Sequence, residues 1–394
     1  MRCAVPAVPN RWVILCVLFL ARTAMSLQFQ TVASTGSVMI DTFAIDFAAL
    51  GLLIGIYMLP GVAIALPGGV LGQRFGAKRI VMAGLALMAI GGAVMAAGTS
   101  YAAMMTGRLI SGTGAVFLTV MVAKMTTDWF AGRQIVAAMS TVIASWPFGL
   151  AIGLVTYGPL AQAYGWTTVM LIGVVASVLG LVLIAAIYRD PPGLPVAPVA
   201  RLTIGLTRRE WILVLIAGAI WGLFNVGYIV LISFAPEVFT ARGYSPAQAS
   251  TIVSFVGWAL IPTMPLTGLI VDRVGRSAAF MLVGFVVAAI AACAVPFVSM
   301  PLVPFTVLVI AIGVPAGLIM SLPAQVLRAE RRASGLGVFF TCYFVAMALL
   351  PGAAGLARDI SGSPASPALF AAGMMVLCML ALMLFHAAKR MPEQ

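Results

Sequence analysis

The stretch Gly69-Val-Leu-Gly-Gln-Arg-Phe-Gly-Ala-Lys-Arg79 ends a long apolar run and joins it to another. A second stretch, Gly268-Leu-Ile-Val-Asp-Arg-Val-Gly-Arg276, matches it at an offset of 199 residues. The same offset, without a gap, aligns two further pairs: Trp12 with Trp211, and Gly114 with Gly313. One register that links three separate places indicates an internal repeat, so we expect the chain to fold as two similar halves.

The composition places these halves in a membrane. Of the 394 residues, 63% are hydrophobic and only 8% are charged, which excludes an ordinary soluble domain. The ten-residue alternation of barrel strands is missing from the sequence, so we predict an all-α membrane protein. The formal net charge of +12 comes from short basic clusters between apolar runs, and such clusters indicate topology and not nucleic acid as a partner.

A span of about 20 apolar residues crosses a bilayer, and on that basis the sequence predicts twelve transmembrane helices in two six-helix bundles. The predicted spans are 12–33, 48–71, 80–98, 102–124, 135–157, 167–188, 211–234, 247–271, 278–298, 303–327, 335–357 and 367–388. With the amino terminus in the cytoplasm, the basic residues of the loops fall on the cytoplasmic side apart from Arg242 and Arg358. We therefore expect a multi-pass protein of a bacterial-type inner membrane with both termini cytoplasmic.

A proline-rich connection separates the sixth and seventh spans and gives the expected domains: a bundle over 1–190, a cytoplasmic linker over 191–210 and a second bundle over 211–394. Parallel repeats of this kind usually hold their substrate near the midplane, between the two bundles. Prolines inside the predicted spans should kink or break them. These are Pro60, Pro147, Pro262, Pro265, Pro315 and Pro323.

The two repeated stretches resemble the loop signature of the major facilitator superfamily, G-x-x-x-D-R-x-G-R-R. The copy at 268–276 keeps the acid, whereas the first copy has Gln73 at that position and Ala77 in place of an arginine. Arg108-x-x-x-Gly112-x-Gly114 resembles the fourth-span motif of the superfamily, and residues 124–133 resemble its next loop. The resemblance implies a gate at the cytoplasmic ends. The residues assigned to gating are Arg74, Lys78, Arg108, Lys124, Asp128, Asp272, Arg273 and Arg276. The resemblance places Arg108 near the outer end of its span, where the alternative is a structural arginine.

Two further stretches resemble the nitrate/nitrite and cyanate permease branch: residues 125–133, with Asp128-Trp-Phe130 at their centre, and Ser145-Trp-Pro-Phe-Gly149. The glycine-spaced fifth span of proton-driven drug exporters is met only in part by Gly149, Gly153, Gly158 and Pro159. An exporter of drug-like or other organic compounds is the alternative function within the superfamily.

Arg22 puts a positive charge inside the first predicted span. A charge there costs about 2.5–3.5 kcal/mol on insertion scales, so it should face a cavity or a protein interior. Helical spacing and the offset of 199 give two facing walls, to which Tyr57 is added as a cavity residue. The predicted substrate-binding residues are Arg22, Ser26, Phe29, Gln30, Tyr57, Trp221, Asn225 and Tyr228. The alternative for Arg22 is a structural arginine bound to helix carbonyls, and for the others it is packing. Trp146, Phe255, Trp258 and Tyr343 are further candidates to line a cavity.

The ten acidic residues all fall in predicted loops or span ends, so a proton relay of the usual kind is not expected. The spans carry no catalytic pair, metal cluster or filter loop, which argues against an enzyme or a channel and for no cofactor and no metal. We expect a secondary transporter that moves a small inorganic or carboxylate monoanion by alternating access. It would work by uniport, by exchange, or by symport of a proton that the substrate brings. Its partners should be that anion and membrane lipids, and it should be a monomer.

Overall fold

The computed structural model describes residues 10–130, 134–191, 205–328 and 331–390, with the backbone alone at 66–73, 136, 272, 332 and 333. The regular structure of these residues is helical, with fourteen α-helices and two 3₁₀ turns. The helices are α1 (Arg11–Ser34), α2 (Gly36–Phe43), α3 (Phe47–Gly55), α4 (Pro60–Phe75), α5 (Ala77–Ala97), α6 (Tyr101–Phe130), α7 (Ile135–Tyr164), α8 (Trp166–Ile187), α9 (Arg208–Thr240), α10 (Pro246–Val274), α11 (Ser277–Ala294), α12 (Leu302–Ile319), α13 (Arg332–Ser361) and α14 (Ser366–Arg390).

Twelve segments of the described chain are long and apolar enough to cross a membrane, which confirms the predicted number of spans. The second span is formed by α3 and α4 together with the 3₁₀ turn Ile56–Met58 between them. Pro60 starts α4 because proline lacks the N–H that would continue α3. Pro323 likewise opens the turn after α12. The helices continue through the other four prolines that were expected to kink or break them: Pro147, Pro262, Pro265 and Pro315.

The packing order of the helices repeats. In the first half, α1–α8, the main partners of α1 are α7 and α8, and α5 packs on α6 and α8. In the second half, α9–α14, the main partners of α9 are α13 and α14, and α11 packs on α12 and α14. Gly76 and Gly275 occupy the same position of the repeat, and both have a positive φ, at 85° and 71°, which glycine adopts without strain. Residues 192–204, most of the predicted linker, lie outside the described residues.

A seam of glycines joins the two halves where α3 meets α13. A Cβ at Gly51 would overlap the carbonyl oxygen of Pro351, and a Cβ at Gly355 would overlap that of Phe47. Small residues therefore let the two backbones touch, as they commonly do between membrane helices. The seam lies at the end of the bundle where α3 begins and α13 ends. We call it the predicted outer end, because the topology expected from the sequence puts it opposite the cytoplasm.

The halves also meet between α7 and α10. A Cβ at Gly257 would come within 2.7 Å of the carbonyl oxygen of Pro147. The rings of Phe148 on α7 and Trp258 on α10 meet edge to face at 5.7 Å. As in the seam, a small residue admits the opposite backbone, here Gly257 alone. The two halves are thus in contact at α3–α13 and at α7–α10, while Arg22 lies in the middle of α1.

Candidate functional site

Arg22 lies in the middle of α1 and its side chain is partly exposed. Its Nη1 donates a 2.6 Å hydrogen bond to the carbonyl oxygen of Val142 on α7. Among the described residues this is the one hydrogen bond that the guanidinium makes, and the described ion pairs do not include it. The remaining N–H groups are therefore available to a ligand or to water, in a span whose other face is packed.

The second half brings an aromatic surface to the same place. Tyr343 on α13 lies near Arg22. The ring of Trp221 on α9 lies 6.1 Å from that of Tyr343, and both side chains are partly exposed. Trp221 is held in its plane by Phe224 and Phe339, which stack on it at interplanar angles of 21° and 19°. A cation from one half thus faces a fixed aromatic pair from the other.

Asn225 and Tyr228 extend the predicted wall on α9 in different ways. Asn225 is partly exposed and uses its amide N–H to bond the carbonyl oxygen of Trp221, one turn earlier, at 2.8 Å. Tyr228 is buried, and its hydroxyl has no hydrogen-bond partner among the described residues. The exposed part of this wall is therefore Trp221 and Asn225, on the side of Arg22.

The predicted wall on α1 is largely covered by α7. Ser26 is buried and donates to the carbonyl oxygens of Thr23 and Ser145. Gln30 is buried as well and donates to Ser34 at 2.9 Å. Glycines on α7 admit these side chains, because a Cβ at Gly149 would overlap the Ser26 hydroxyl. Helical spacing correctly put Ser26 and Gln30 on one face of α1, but that face packs against a neighbouring helix.

Phe29 and Tyr57 are buried around the second arginine. Their rings meet at 5.5 Å, and the guanidinium carbon of Arg108 lies 5.3 Å from the Phe29 ring and 4.5 Å from the Tyr57 ring. Arg108 is fully buried and donates to four carbonyl oxygens, those of Gln28, Phe29, Leu53 and Ile54. These carbonyls lie on α1 and at the point where α3 gives way to the 3₁₀ turn. Arg108 therefore ties α6 to the first two spans and does not open toward Arg22.

The other residues assigned to gating lie at the opposite end from the glycine seam. Lys124 and Asp128 form an ion pair of 2.5 Å along α6. Lys78 caps the end of α8 by donating to the carbonyl oxygens of Ala185 and Tyr188 at 2.9 and 2.8 Å. Three arginines near the repeated turns are exposed: Arg74, Arg273 and Arg276. The side chain of Asp272 lies outside the described residues.

The acidic side chains that the structure describes in ion pairs lie near helix ends. Besides Asp128, Glu210 completes a capping box with Thr207 and pairs with Arg331 at 2.7 Å. Glu237 pairs with Arg358 at 2.5 Å at the predicted outer end. This placement leaves Arg22 without a described carboxylate partner in the middle of the bundle.

More aromatic side chains surround the middle of the bundle. Trp146 on α7 packs on Phe29 at 5.2 Å, and Phe148 packs on Phe19 at 5.4 Å. Trp146 and Phe148 are partly exposed, and Trp258 is 39% exposed. Tyr343, Trp146 and Trp258 were foreseen only as general cavity residues. The proximity of Tyr343 to Arg22 depends on how α13 packs across the two halves, which no local pattern shows.

Comparison with known proteins places the whole chain in one group. The family model described as Major Facilitator Superfamily matches residues 15–240 and 211–394. The crystal structure of a D-xylose-proton symporter superposes with a TM-score of 0.78 and 16% identity, covering 95% of this chain and 97% of that one. At that identity the likeness shows the shared fold alone.

Three curated relatives are named for different compounds. The 3-(3-hydroxy-phenyl)propionate transporter of Escherichia coli is 24% identical over 66% of this chain and 64% of its own length. The methylenomycin A resistance protein of Bacillus subtilis is 28% identical over 46% and 39% of the two chains. The choline/ethanolamine transporter of Homo sapiens is 24% identical over 57% and 44%. The chain therefore spans less than two thirds of each of these relatives.

Proposed function

The chain belongs to the Major Facilitator Superfamily, and from this premise we propose that it is a secondary transporter that moves a small monoanion by alternating access. It would act in an inner membrane with both termini in the cytoplasm, as the distribution of basic residues predicts. It would work as a monomer built from the two halves.

The main observation in favour of an anionic substrate is the partial exposure of Arg22 and its small number of hydrogen bonds. A guanidinium in the middle of a span, partly exposed and with a single described hydrogen bond, still has donors to satisfy. Arg108 provides an internal comparison, because all of its bonds go to backbone carbonyls and it is fully buried. The donors of Arg108 are used by the fold, whereas Arg22 keeps donors for which the described residues supply no acceptor.

The charge balance favours a single negative charge on the substrate. The planar fork of a guanidinium matches a carboxylate or another trigonal anion through two parallel hydrogen bonds. Arg108 is enclosed in the first half and Arg358 is paired with Glu237, so Arg22 is the arginine that the described residues leave without an anionic partner in the middle of the bundle. A dianion would keep one charge unbalanced in a medium of low dielectric constant, at a large cost.

The contacts between the halves support alternating access. The glycine seam holds α3 against α13 at the predicted outer end, while Arg22 stays partly exposed. A carrier in this arrangement would load or release its substrate from the cytoplasmic side. Rocking of the two halves about the middle of the bundle would then open the seam and expose Arg22 to the other side.

Two resemblances point toward an anion. Residues 125–133 and 145–149 resemble the nitrate/nitrite and cyanate permease branch, whose substrates are monoanions. The relative from E. coli that covers the largest share of this chain among the three compared is named for a propionate, which carries a carboxylate. Membership of the nitrate/nitrite and cyanate branch is part of the proposal.

Uptake of radiolabelled monoanions into proteoliposomes tests the proposal. The panel holds nitrate, acetate, benzoate and 3-phenylpropionate, each assayed with wild type, Arg22→Gln, Arg22→Lys and the control Arg390→Gln. Losing a charged hydrogen bond costs about 1.5–3 kcal/mol, so Arg22→Gln should lower uptake of the best anion by about 10- to 100-fold. Arg22→Lys should recover part of it, and Arg390→Gln should not change it, because Arg390 lies exposed at the end of α14. Unchanged uptake in both Arg22 variants would refute the anion site.

Export of an organic compound is the second candidate. It is favoured by the resistance protein among the relatives and by the aromatic side chains around the middle of the bundle. A choline-like cation could also contact such rings, but the guanidinium of Arg22 would repel it. If a lipophilic cation proves the best substrate of the reconstituted protein, this candidate replaces the anion transporter.

A further inference from the structure

The two halves put different chemistry at equivalent positions. Arg22 and Trp221 are related by the offset of 199, and each lies in the middle of the first span of its half. A site with exact internal symmetry would offer the substrate the same group twice. Here one wall offers a cation and the other a flat aromatic ring, which suits a molecule that is itself divided into an anionic group and a planar body.

Tyr343 links these two walls. It lies near Arg22, and its ring lies 6.1 Å from that of Trp221 with 33° between their planes. Phe224 and Phe339 stack on Trp221 and fix the direction in which its ring faces. A ligand whose carboxylate binds the guanidinium would therefore have its next few atoms beside an aromatic surface that is already in place.

The polar groups at this surface are few. Apart from the guanidinium, the partly exposed hydrogen-bonding side chains identified there are Asn225 and Tyr343, and Asn225 already donates to its own helix. A small inorganic anion would have to exchange its hydration shell for several donors. An organic anion needs donors only at its charged end, and its apolar part gains by burial.

We propose that the substrate is an aryl monocarboxylate, bound with its carboxylate on Arg22 and its ring against Trp221 and Tyr343. This inference rests on the proposed anion transport and adds that the group attached to the carboxylate is an aromatic ring. Contact between two aromatic rings is worth about 0.5–1.5 kcal/mol beyond burial, which corresponds to a preference of about two- to tenfold for a ring with π electrons.

The test compares 3-phenylpropionate with 3-cyclohexylpropionate, which have the same charge and chain and differ in the aromaticity of the ring. Competition against labelled 3-phenylpropionate in proteoliposomes gives the affinity of each. Wild type should prefer the aromatic acid by about two- to tenfold. Trp221→Leu should remove the preference and Trp221→Phe should keep most of it. Trp166→Leu, which changes a tryptophan packed on Phe43 away from Arg22, should leave it as it is.

The outcomes separate this inference from the proposed function. If both acids compete equally and Arg22→Gln abolishes their uptake, the aromatic surface is overturned while anion transport stands. If Trp221→Leu keeps the wild-type preference, the ring does not bind at Trp221 and the inference fails. If no anion of the panel is transported, or if the Arg22 variants leave the uptake unchanged, the proposed function itself fails. Should Trp221→Leu not fold, Tyr343→Leu takes its place: it should lower the preference, whereas Trp221→Phe should keep most of it, and an unchanged preference in Tyr343→Leu overturns the inference.

Discussion

The carboxylate of Asp359 accepts a 2.7 Å hydrogen bond from the backbone N–H of Ala48, a residue 311 positions away in the other half of the chain. Its second oxygen accepts from the N–H of Phe47 at 3.0 Å. The last turns of α13 thus cap the first turn of α3, where the helix dipole favours a negative charge. Arg358 lies beside it, pairs with Glu237 and covers the ring of Phe47 at 4.7 Å. Polar contacts therefore reinforce the glycine seam at the predicted outer end.

Asp359→Asn should weaken this closure. An amide keeps one acceptor but loses the charge, and charged hydrogen bonds contribute about twice as much as neutral ones. We expect the population open at this end to grow by about three- to tenfold. Double electron–electron resonance between spin labels at Asp41 and Met300, exposed positions of the two halves, measures this open population. Asp190→Asn is the control, since Asp190 lies beyond the end of α8. If the distance distribution of Asp359→Asn is the same as that of wild type, the carboxylate does not stabilise the closed end.

Gly355→Ala should open the same seam by steric means. The added Cβ would overlap the carbonyl oxygen of Phe47, which is backbone and cannot rotate away. We expect most molecules to be open at this end, so that the distance between the same two labels is longer than in wild type. Transport should be lost as well. Gly373→Ala in α14 is the matched control, because a Cβ there meets nothing within 4 Å. If Gly355→Ala keeps the wild-type distances, the two backbones are not in contact in the membrane.

Arg108→Gln and Arg22→Gln should separate stability from function. The first change removes bonds that a buried guanidinium donates to four carbonyl oxygens, and a hydrogen bond to a charged group contributes about 1.5–3 kcal/mol. We expect a fall of several degrees in the melting temperature of the detergent-solubilised protein. The second change removes one bond to Val142 and a poorly compensated charge, so its melting temperature should stay close to that of wild type while transport falls by about 10- to 100-fold. The reverse order of the two melting temperatures would contradict both assignments.

Much of this arrangement was available from the sequence, for reasons that differ between residues. The twelve spans follow from hydrophobic length, and the equivalence of Arg22 and Trp221 follows from the repeat. The burial of Ser26 and Gln30 could not be predicted, because spacing on α1 says which residues share a face and not which helix covers it. The cap formed by Asp359 on α3 was likewise hidden, since it joins residues more than 300 positions apart and depends on how the two halves meet.

The dependence of transport on pH should follow the substrate and not the protein. The carboxylates described in ion pairs are bound near helix ends, at Asp128, Glu210 and Glu237, so none of them lies beside Arg22 to carry a proton with the anion. A pH gradient, acid outside, should then drive accumulation of benzoate, whose own carboxylate can take a proton, beyond the passive uptake of benzoic acid by liposomes that lack the protein. It should leave benzenesulfonate unaffected, because a sulfonate stays ionised across this range. Uptake of both anions is measured in proteoliposomes with and without a protonophore, under a clamped membrane potential. Acid-driven accumulation of benzenesulfonate would require a protonatable group of the protein on the transport path.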